Sequence, residues 1–203
     1  GTHYACSTSR GVNFVNKSSN KIHNPRDTKN RVLHPSAYRD GMMFITHFKK
    51  IRIFDIETAD LLIETPELES KISALTLSPY SNTIATLHEN DELKYWKYDD
   101  NSIEETASAS CNDFPSLVRF TEADKLLVVD RLKGDKVRLF DESAQLIAEA
   151  SFPHYFGGPN TLSIVHTELS KDKKLLFIFR GDFAIGVIDA LTLELLRIVR
   201  PSD

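Results

Sequence analysis

Apolar and polar residues alternate along the chain in short segments, the pattern of β-strands that bury one face. Residues 72–77 alternate in this way, and the turn-forming residues 78–82 separate them from a second apolar segment at 83–87. A third segment follows at 93–98, after the polar residues 89–92. The three segments predict consecutive strands of an antiparallel sheet, joined by tight turns.

The same order of segments recurs along the chain. A five-residue pattern (aliphatic, any residue, apolar, large apolar, usually polar) begins at residues 12, 51, 93, 137 and 185, which are 39, 42, 44 and 48 residues apart. Two later units predict strands over 117–120, 125–129, 137–140 and 145–150, and over 162–166, 175–179, 185–188 and 193–199. Four short strands in each unit of about 40 residues predict an all-β fold, a β-propeller of four-stranded antiparallel blades. A β-sandwich, the competing all-β fold, does not require the same four-strand unit to recur.

The predicted strands divide residues 1–203 into about four and a half blades of one partial propeller domain. The expected parts are some of a first blade at 1–16, a basic polar loop at 17–40, an incomplete blade at 41–67, and blades at 68–109, 110–156 and 157–200. The innermost strand of the incomplete blade has to come from residues 17–40. Seven blades at this spacing need roughly 280–320 residues. We therefore expect part of a larger, seven-bladed propeller, with an open propeller completed by a partner as the alternative.

Two stretches resemble a known family of repeats. Residues 51–62 (IRIFDIETADLL) resemble the third strand, turn and outer strand of a WD40 repeat, and residues 72–98 resemble the first three strands of the next one. No repeat contains the Gly-His dipeptide, and Trp96, the only tryptophan, is followed by Lys97 and not by aspartate. The last repeat, with residues 181–196 (GDFAIGVIDALTLELL), is also similar to the YVTN-type bacterial propeller repeats.

The resemblance implies structural roles at two sets of positions. The hairpin before the third strand holds the turn aspartate of the family, which accepts hydrogen bonds, at Asp91, Asp135 and Asp182. The position of the packing tryptophan, which fills the space between adjacent blades, is occupied by Phe54, Trp96, Phe140 and Ile188.

Basic residues are concentrated at the start of the chain. The net charge is −4, but residues 1–52 contain ten Lys and Arg against two Asp, and the remaining residues contain fifteen against twenty-seven Asp and Glu. Such asymmetry is typical of a solvated polar loop or of a basic arm that contacts phosphates in a salt-sensitive manner. The candidate nucleic-acid contacts are Lys17, Lys21, Arg26, Lys29 and Arg31, together with Arg10, Arg39, Lys49 and Lys50.

Motifs that carry known chemistry are missing from the sequence. It contains no phosphate-binding loop, no G-x-G-x-x-G, no H-E-x-x-H, no C-x-x-C and no G-x-S-x-G. The two cysteines, Cys6 and Cys111, are too few for a disulfide framework or a four-cysteine zinc site, and the seven histidines are dispersed. We therefore expect no catalytic residues, no cofactor and no metal. No uncharged apolar run reaches the length of a membrane span, so we expect no membrane insertion. The sequence also has no N-terminal apolar region of a secretory signal and too few cysteines for a disulfide framework, so we expect an intracellular protein, cytoplasmic or nuclear.

One aromatic loop is the candidate partner-binding segment. Residues Phe152, His154, Tyr155 and Phe156 precede two glycines between an outer strand and the next inner strand. They either anchor an interface or pack between blades while the glycines turn the chain. The propeller resemblance and the missing motifs favour a non-enzymatic scaffold that binds other protein subunits of a multi-subunit complex. The alternative is a nucleic-acid-associated subunit that binds RNA through residues 10–52.

Overall fold

The structure, a computed structural model, describes residues 3–8, 11–16, 22–23, 36–111, 115–130, 136–151, 164–181 and 183–200. Within these ranges, side chains are described from residue 37 onwards, except at 115–117, 130, 164 and 165. Every regular element within these ranges is a β-strand. Among the same residues, no helix is long and apolar enough to cross a membrane.

The strands form five antiparallel sheets in which consecutive strands are neighbours. Blade 1 has three strands: β1 (His3–Thr8), β2 (Gly11–Asn16) and β3 (Ile22–His23). Blade 2 has four: β4 (Ser36–Arg39), β5 (Met42–His47), β6 (Lys50–Asp55) and β7 (Leu61–Glu64). Blade 3 has β8 (Ile72–Leu77), β9 (Thr83–His88), β10 (Glu92–Tyr98) and β11 (Ile103–Ser110). Blade 4 has β12 (Pro115–Phe120), β13 (Leu126–Asp130), β14 (Lys136–Phe140) and β15 (Leu146–Ser151), and blade 5 has β16 (Ile164–Leu169), β17 (Leu175–Arg180), β18 (Ile185–Asp189) and β19 (Leu195–Val199).

The predicted all-β propeller architecture is confirmed. Four of the sheets are four-stranded antiparallel meanders arranged as blades. The first strands of blades 2, 3 and 4 approach one another, β4 lying near β8 and β8 near β12. In these three blades the first strand is therefore the inner strand, and the fourth strand is the outer one.

Residues 17–40, predicted as a basic polar loop from which the inner strand of blade 2 has to come, contain two strands. The stretch contains β3, which pairs with β2, and β4, which supplies the inner strand of blade 2. The pair Asp40-Gly41 joins β4 to β5 with φ angles of 50° and 82°. Two successive residues at positive φ make a type I′ hairpin turn, for which Asp-Gly is a preferred sequence. This dipeptide was the local signal for β4 in an otherwise polar stretch.

The hydrophobic core is divided among the interfaces between blades. Side chains of the third strand alternate, so that Leu93 and Tyr95 face blade 4 while Trp96 and Tyr98 face blade 2. The cluster between blades 2 and 3 includes Phe44, Ile53, Leu75, Ile84 and Trp96. The cluster between blades 3 and 4 includes Tyr95, Val118, Phe120, Leu126 and Phe140. The cluster between blades 4 and 5 includes Leu127, Leu139, Leu176, Ile178 and Ile188.

A buried hydrogen-bond chain fixes Trp96 in its interface. Trp96 Nε1 donates to Thr86 Oγ1 at 2.8 Å, and the Thr86 hydroxyl lies 3.0 Å from His88 Nε2. His88 Nδ1 lies 3.4 Å from the carbonyl oxygen of Ser70, to which it donates. When the imidazole is neutral and carries its proton on Nδ1, its Nε2 accepts the Thr86 hydroxyl. Burial favours this neutral form, because burial lowers the pKa of His88.

Aspartate side chains stabilise the turns between the third and fourth strands by accepting backbone amides. Asp55 Oδ1 accepts the amides of Glu57 and Thr58, both at 2.8 Å, and Ala59 follows at φ 61°. Asp99, Asp141 and Asp189 accept two backbone amides in the same way. A carboxylate that accepts amides from the next few residues is a local substitute for backbone pairing, so each turn is stabilised by its own aspartate.

Candidate functional site

A cleft of about 390 Å³ lies beside the β5–β6 hairpin, where the connection from blade 2 to blade 3 passes it. We term it the hairpin cleft. Phe48 and His47 contribute its aromatic surface and Glu67 its single acidic side chain. Its basic lining residues are Lys49, Lys50, Arg52 and Lys71.

Backbone hydrogen bonds hold the hairpin to the connection between the blades. The amide of Ile72 donates to the carbonyl of Phe48 at 3.0 Å, and the amide of Leu68 donates to the carbonyl of Lys49 at 2.8 Å. His47 and Lys50 form the pair that closes the hairpin. Both residues of the hairpin turn, Phe48 and Lys49, are therefore hydrogen-bonded through their backbone to the connection between the blades.

Phe48 occupies an unusual conformation at the tip of this hairpin. Its φ is 54°, in the left-handed region, where an L-residue costs about 1–2 kcal/mol relative to the right-handed one. Its side chain is 54% exposed, and its ring meets that of His47 edge to face at 5.0 Å between centroids. A large apolar side chain is thus held in solvent at a position that glycine normally fills.

The positive charges of the cleft are partly neutralised. Lys50 Nζ and Arg52 Nε each lie 2.5 Å from a carboxylate oxygen of Glu64. Burial of Glu64 opposes its ionisation, but the hydrogen bonds from the two cations outweigh this and lower its pKa. Lys71 Nζ lies 3.4 Å from Glu89, with both side chains about half exposed. The cleft is basic around an aromatic centre, and Glu64 holds two of its cations in place.

The candidate nucleic-acid contacts divide into two groups. Lys17, Lys21, Arg26, Lys29, Arg31 and Arg10 lie outside the described residues. Lys49 and Lys50 line the hairpin cleft. Arg39 does not line the hairpin cleft. Its guanidinium donates to the carbonyl oxygens of Ser78 (3.1 Å) and Ser81 and stabilises a turn of blade 3.

The candidate partner-binding loop, with Phe152, His154, Tyr155 and Phe156, lies outside the described residues, as do Asp135 and Asp182. Asp91 lies in the β9–β10 hairpin at φ 62°. Its amide donates to the carbonyl of His88 at 3.0 Å and its carbonyl accepts the amide of Cys111 at 2.7 Å. The bonds that join Asp91 to these neighbours are therefore made by its backbone.

Three of the four residues at the packing position face the preceding blade. Trp96 lies between blades 2 and 3, Phe140 between blades 3 and 4, and Ile188 between blades 4 and 5. Phe54 lies with Met43, Ile45 and Ile56 on the opposite face of blade 2 from Ile53. Each of these four side chains is at most 4% exposed.

Sequence reasoning missed the aromatic centre of the hairpin cleft. The local signal was the run 47–50 (HFKK), in which an aromatic residue stands between basic residues at a hairpin tip. Lys71 and Glu67 had no such signal, because only the backbone bonds between the connection and the hairpin bring them there. Among the described residues, no three His, Cys, Asp or Glu side chains come together in a way that could hold a metal ion.

Comparison with known proteins adds to the description of the fold. No family model matches the chain, and no curated protein does so. Among solved structures, the chain is similar to the crystal structure of the computationally designed Ika8 protein, with a TM-score of 0.73 and 15% sequence identity. The similarity covers 98% of this chain and 59% of the designed chain, so this chain spans less than two thirds of that length. At this identity, the similarity shows a shared propeller-like fold.

Proposed function

We propose that the chain is a WD40-like, non-enzymatic propeller subunit that binds other protein subunits of a multi-subunit intracellular complex. The hairpin cleft is the binding surface in this proposal. The observation that supports it is the exposed side chain of Phe48, held at positive φ among basic residues.

An apolar side chain surrounded by polar groups is the usual arrangement of a protein-binding hot spot. Burying the exposed part of Phe48 against a partner would contribute about 1–2 kcal/mol from apolar area. Phenylalanine has two side-chain torsions and the hairpin backbone is tied to its surroundings, so little conformational entropy would be lost on binding.

The charge around Phe48 indicates the chemistry of the partner. Lys49 forms no ion pair with a described residue, and Lys71 contributes a half-exposed ammonium group. A segment with one apolar side chain flanked by Asp or Glu complements this arrangement. The charged groups would mainly increase the rate of association, which should fall as ionic strength rises.

RNA binding through residues 10–52 is the second candidate function. Tracking a phosphate backbone requires a row of cations that are free to pair with phosphates. Within the described part of that stretch, Arg39 is used in a blade 3 turn, and Lys50 and Arg52 share Glu64. The remaining cleft cations, Lys49 and Lys71, line a space that the carboxylate residue Glu67 also lines. The hairpin cleft therefore suits an acidic protein segment better than a nucleic acid.

Phe48→Gly provides a sharp test because glycine prefers the backbone conformation found there. The substitution removes the apolar anchor without straining the hairpin. The matched control is Phe183→Gly, which removes another hairpin phenylalanine, at φ 66° and 79% exposed, from blade 5. Lys71→Glu reverses a charge of the cleft, and Lys171→Glu is its control on blade 5.

The measurement is quantitative co-purification of associated proteins with each tagged variant, with and without ribonuclease. We expect Phe48→Gly and Lys71→Glu to reduce the same set of proteins at least fivefold, while both blade 5 controls retain it. Equal recovery with all variants would refute the cleft as the binding surface. Loss of the set on ribonuclease treatment would instead favour the RNA-associated function.

A further inference from the structure

A second cleft, also of about 390 Å³, lies between blades 3 and 4. We term it the interblade cleft. Its blade 3 wall contains Tyr95, Lys97 and Thr106, and its blade 4 wall contains Phe120, Asp124 and Glu142. It is separate from the hairpin cleft and shares no lining residue with it.

Tyr95 places a buried hydroxyl at this cleft. The residue is 1% exposed, and its phenolic oxygen has no hydrogen-bond partner among the described residues. Its ring packs edge to face with Phe120 at 6.4 Å between centroids, so the ring is part of the core. A buried hydroxyl without a partner destabilises the fold that contains it. Tyr95 is one of the residues that line the cleft, and its hydroxyl is buried at that wall, where a ligand that displaces neighbouring atoms could supply the missing partner.

The internal repeats show that packing does not require this hydroxyl. The residues equivalent to Tyr95 in the third strands of blades 2, 4 and 5 are the aliphatic residues Ile53, Leu139 and Val187. Each occupies the same place in the five-residue pattern and forms no polar contact through its side chain. The hydroxyl is thus a departure that is specific to blade 3 among these blades.

Two further departures of blade 3 line the same cleft. Lys97 stands where the other third strands have Asp55, Asp141 and Asp189. A register shift between the third and fourth strands leaves one extra residue in the outer strand of each blade. That residue is Thr106 in blade 3, whereas it is Leu62, Ile147 and Leu196 in blades 2, 4 and 5. At three positions around this cleft, blade 3 therefore has a hydroxyl-bearing or basic residue where blades 2, 4 and 5 have an aliphatic or acidic one.

The groups on the blade 4 wall indicate which ligand would fit. Asp124 and Glu142 are acceptors only, and Glu142 forms no ion pair with a described residue. Asp124 accepts the hydroxyls of Ser78 and Ser81, at 2.5 and 2.9 Å, which fixes its orientation. Burial and the nearby carboxylates of Asp141 and Asp124 raise the pKa of Tyr95, so its hydroxyl is protonated and lies in a negative potential.

We propose that the interblade cleft binds an organic cation with several N–H donors, an ammonium or guanidinium group that donates to Tyr95 Oη and to Glu142. Thr106 and Ser143 line the same space, and their hydroxyl oxygens can accept further N–H groups, that of Thr106 while it donates to the carbonyl of Tyr95 at 3.4 Å. The apolar stem of an arginine or lysine side chain matches the aromatic surface of Tyr95 and Phe120. The cation comes either from a free polyamine-like molecule or from a basic side chain of a partner.

Tyr95→Phe tests the proposal because it removes only the unpaired hydroxyl. The variant should melt at the same temperature as the native chain or higher, since no bond is lost. Its affinity for the cation should fall about tenfold, because a hydrogen bond to a charged group is lost. Tyr98→Phe is the matched control, because Tyr98 carries a buried hydroxyl on the same strand but faces blade 2.

The probes are agmatine and N-acetylarginine amide, with the neutral N-acetylcitrulline amide as the comparison, followed by backbone NMR shifts and calorimetry. We expect saturable shifts in β10 and β14–β15 with the two cations, at about tenfold higher ligand concentration in Tyr95→Phe and Glu142→Gln and at an unchanged concentration in Tyr98→Phe. Binding of N-acetylarginine amide but not of agmatine would identify a partner side chain as the source, and the reverse a free molecule. Absent shifts, equal citrulline binding or an unaffected Tyr95→Phe would overturn the proposal.

Discussion

Trp96 offers the most direct test of how neighbouring blades are joined. Its ring lies in the cluster between blades 2 and 3 and is 4% exposed, and its indole N–H donates to Thr86 at 2.8 Å. Replacing Trp96 with alanine removes both the ring and the donor. Replacing it with phenylalanine keeps most of the apolar volume and removes only the donor.

The expected magnitudes follow from these two contributions. Loss of a buried aromatic ring with partial collapse of the cavity costs about 3–5 kcal/mol. Loss of the hydrogen bond alone costs about 1 kcal/mol, and slightly more where Thr86 and His88 stay buried with one partner fewer. We therefore expect Trp96→Ala to lower the free energy of unfolding by about 3–5 kcal/mol and Trp96→Phe by about 1–2 kcal/mol.

Urea unfolding followed by circular dichroism measures all variants with one probe. In the native chain, the fluorescence of its only tryptophan reports separately on the interface between blades 2 and 3. A double-mutant cycle of Trp96→Phe with Thr86→Val isolates the energy of the hydrogen bond. Its coupling energy should lie near 1 kcal/mol.

Two results would refute this reasoning. A Trp96→Ala variant within about 0.5 kcal/mol of the native chain would mean that the ring contributes no more than a surface residue. A coupling energy near zero would mean that Thr86 is not the functional acceptor of the indole.

A fluorescence transition that precedes the circular dichroism transition would place the weakest interface between blades 2 and 3.

Three further predictions concern acidity and backbone strain. Hydrogen bonds from Arg138 and Lys136 hold the pKa of Glu149 below its usual 4.5, so the stability that Glu149 contributes is present above pH 4.5 and is lost as the pH falls further. Glu149→Gln should therefore reduce the change in melting temperature between pH 5 and pH 3. Burial holds the pKa of His88 below its usual 6.5, so the native chain should lose stability as pH falls from about 6.5, and His88→Gln should melt with a smaller change between pH 7 and pH 5; an unchanged slope would contradict a neutral His88. Gly41 has a φ of +82° and open space where a Cβ would stand, so Gly41→Ala should cost about 1 kcal/mol by thermal melting from conformation alone, and a neutral effect would contradict the strain argument.

The strands and blades were largely predictable because their signals are local. Alternation over 72–77 and the turn residues that follow gave β8 with the bounds Ile72–Leu77. β4 was hidden by the polar residues around it, although Asp40-Gly41 marked its hairpin. β11, with the sequence IEETASAS, has exposed and half-buried positions only, so no apolar pattern indicated it.

The sequence by itself determined the repeating four-strand unit and the large apolar position at which Trp96, Phe140 and Ile188 pack against the preceding blade. These depend on period-two alternation and on turn residues, which act within a few residues of chain. Only the tertiary structure decided where the clefts lie. Backbone bonds between a connection and a hairpin bring Lys71 to the cleft beside Phe48, and the packing of two blades makes Tyr95 and Glu142 line one cleft. Strand register and blade packing bring these groups together, and both depend on contacts between residues that are far apart in the chain.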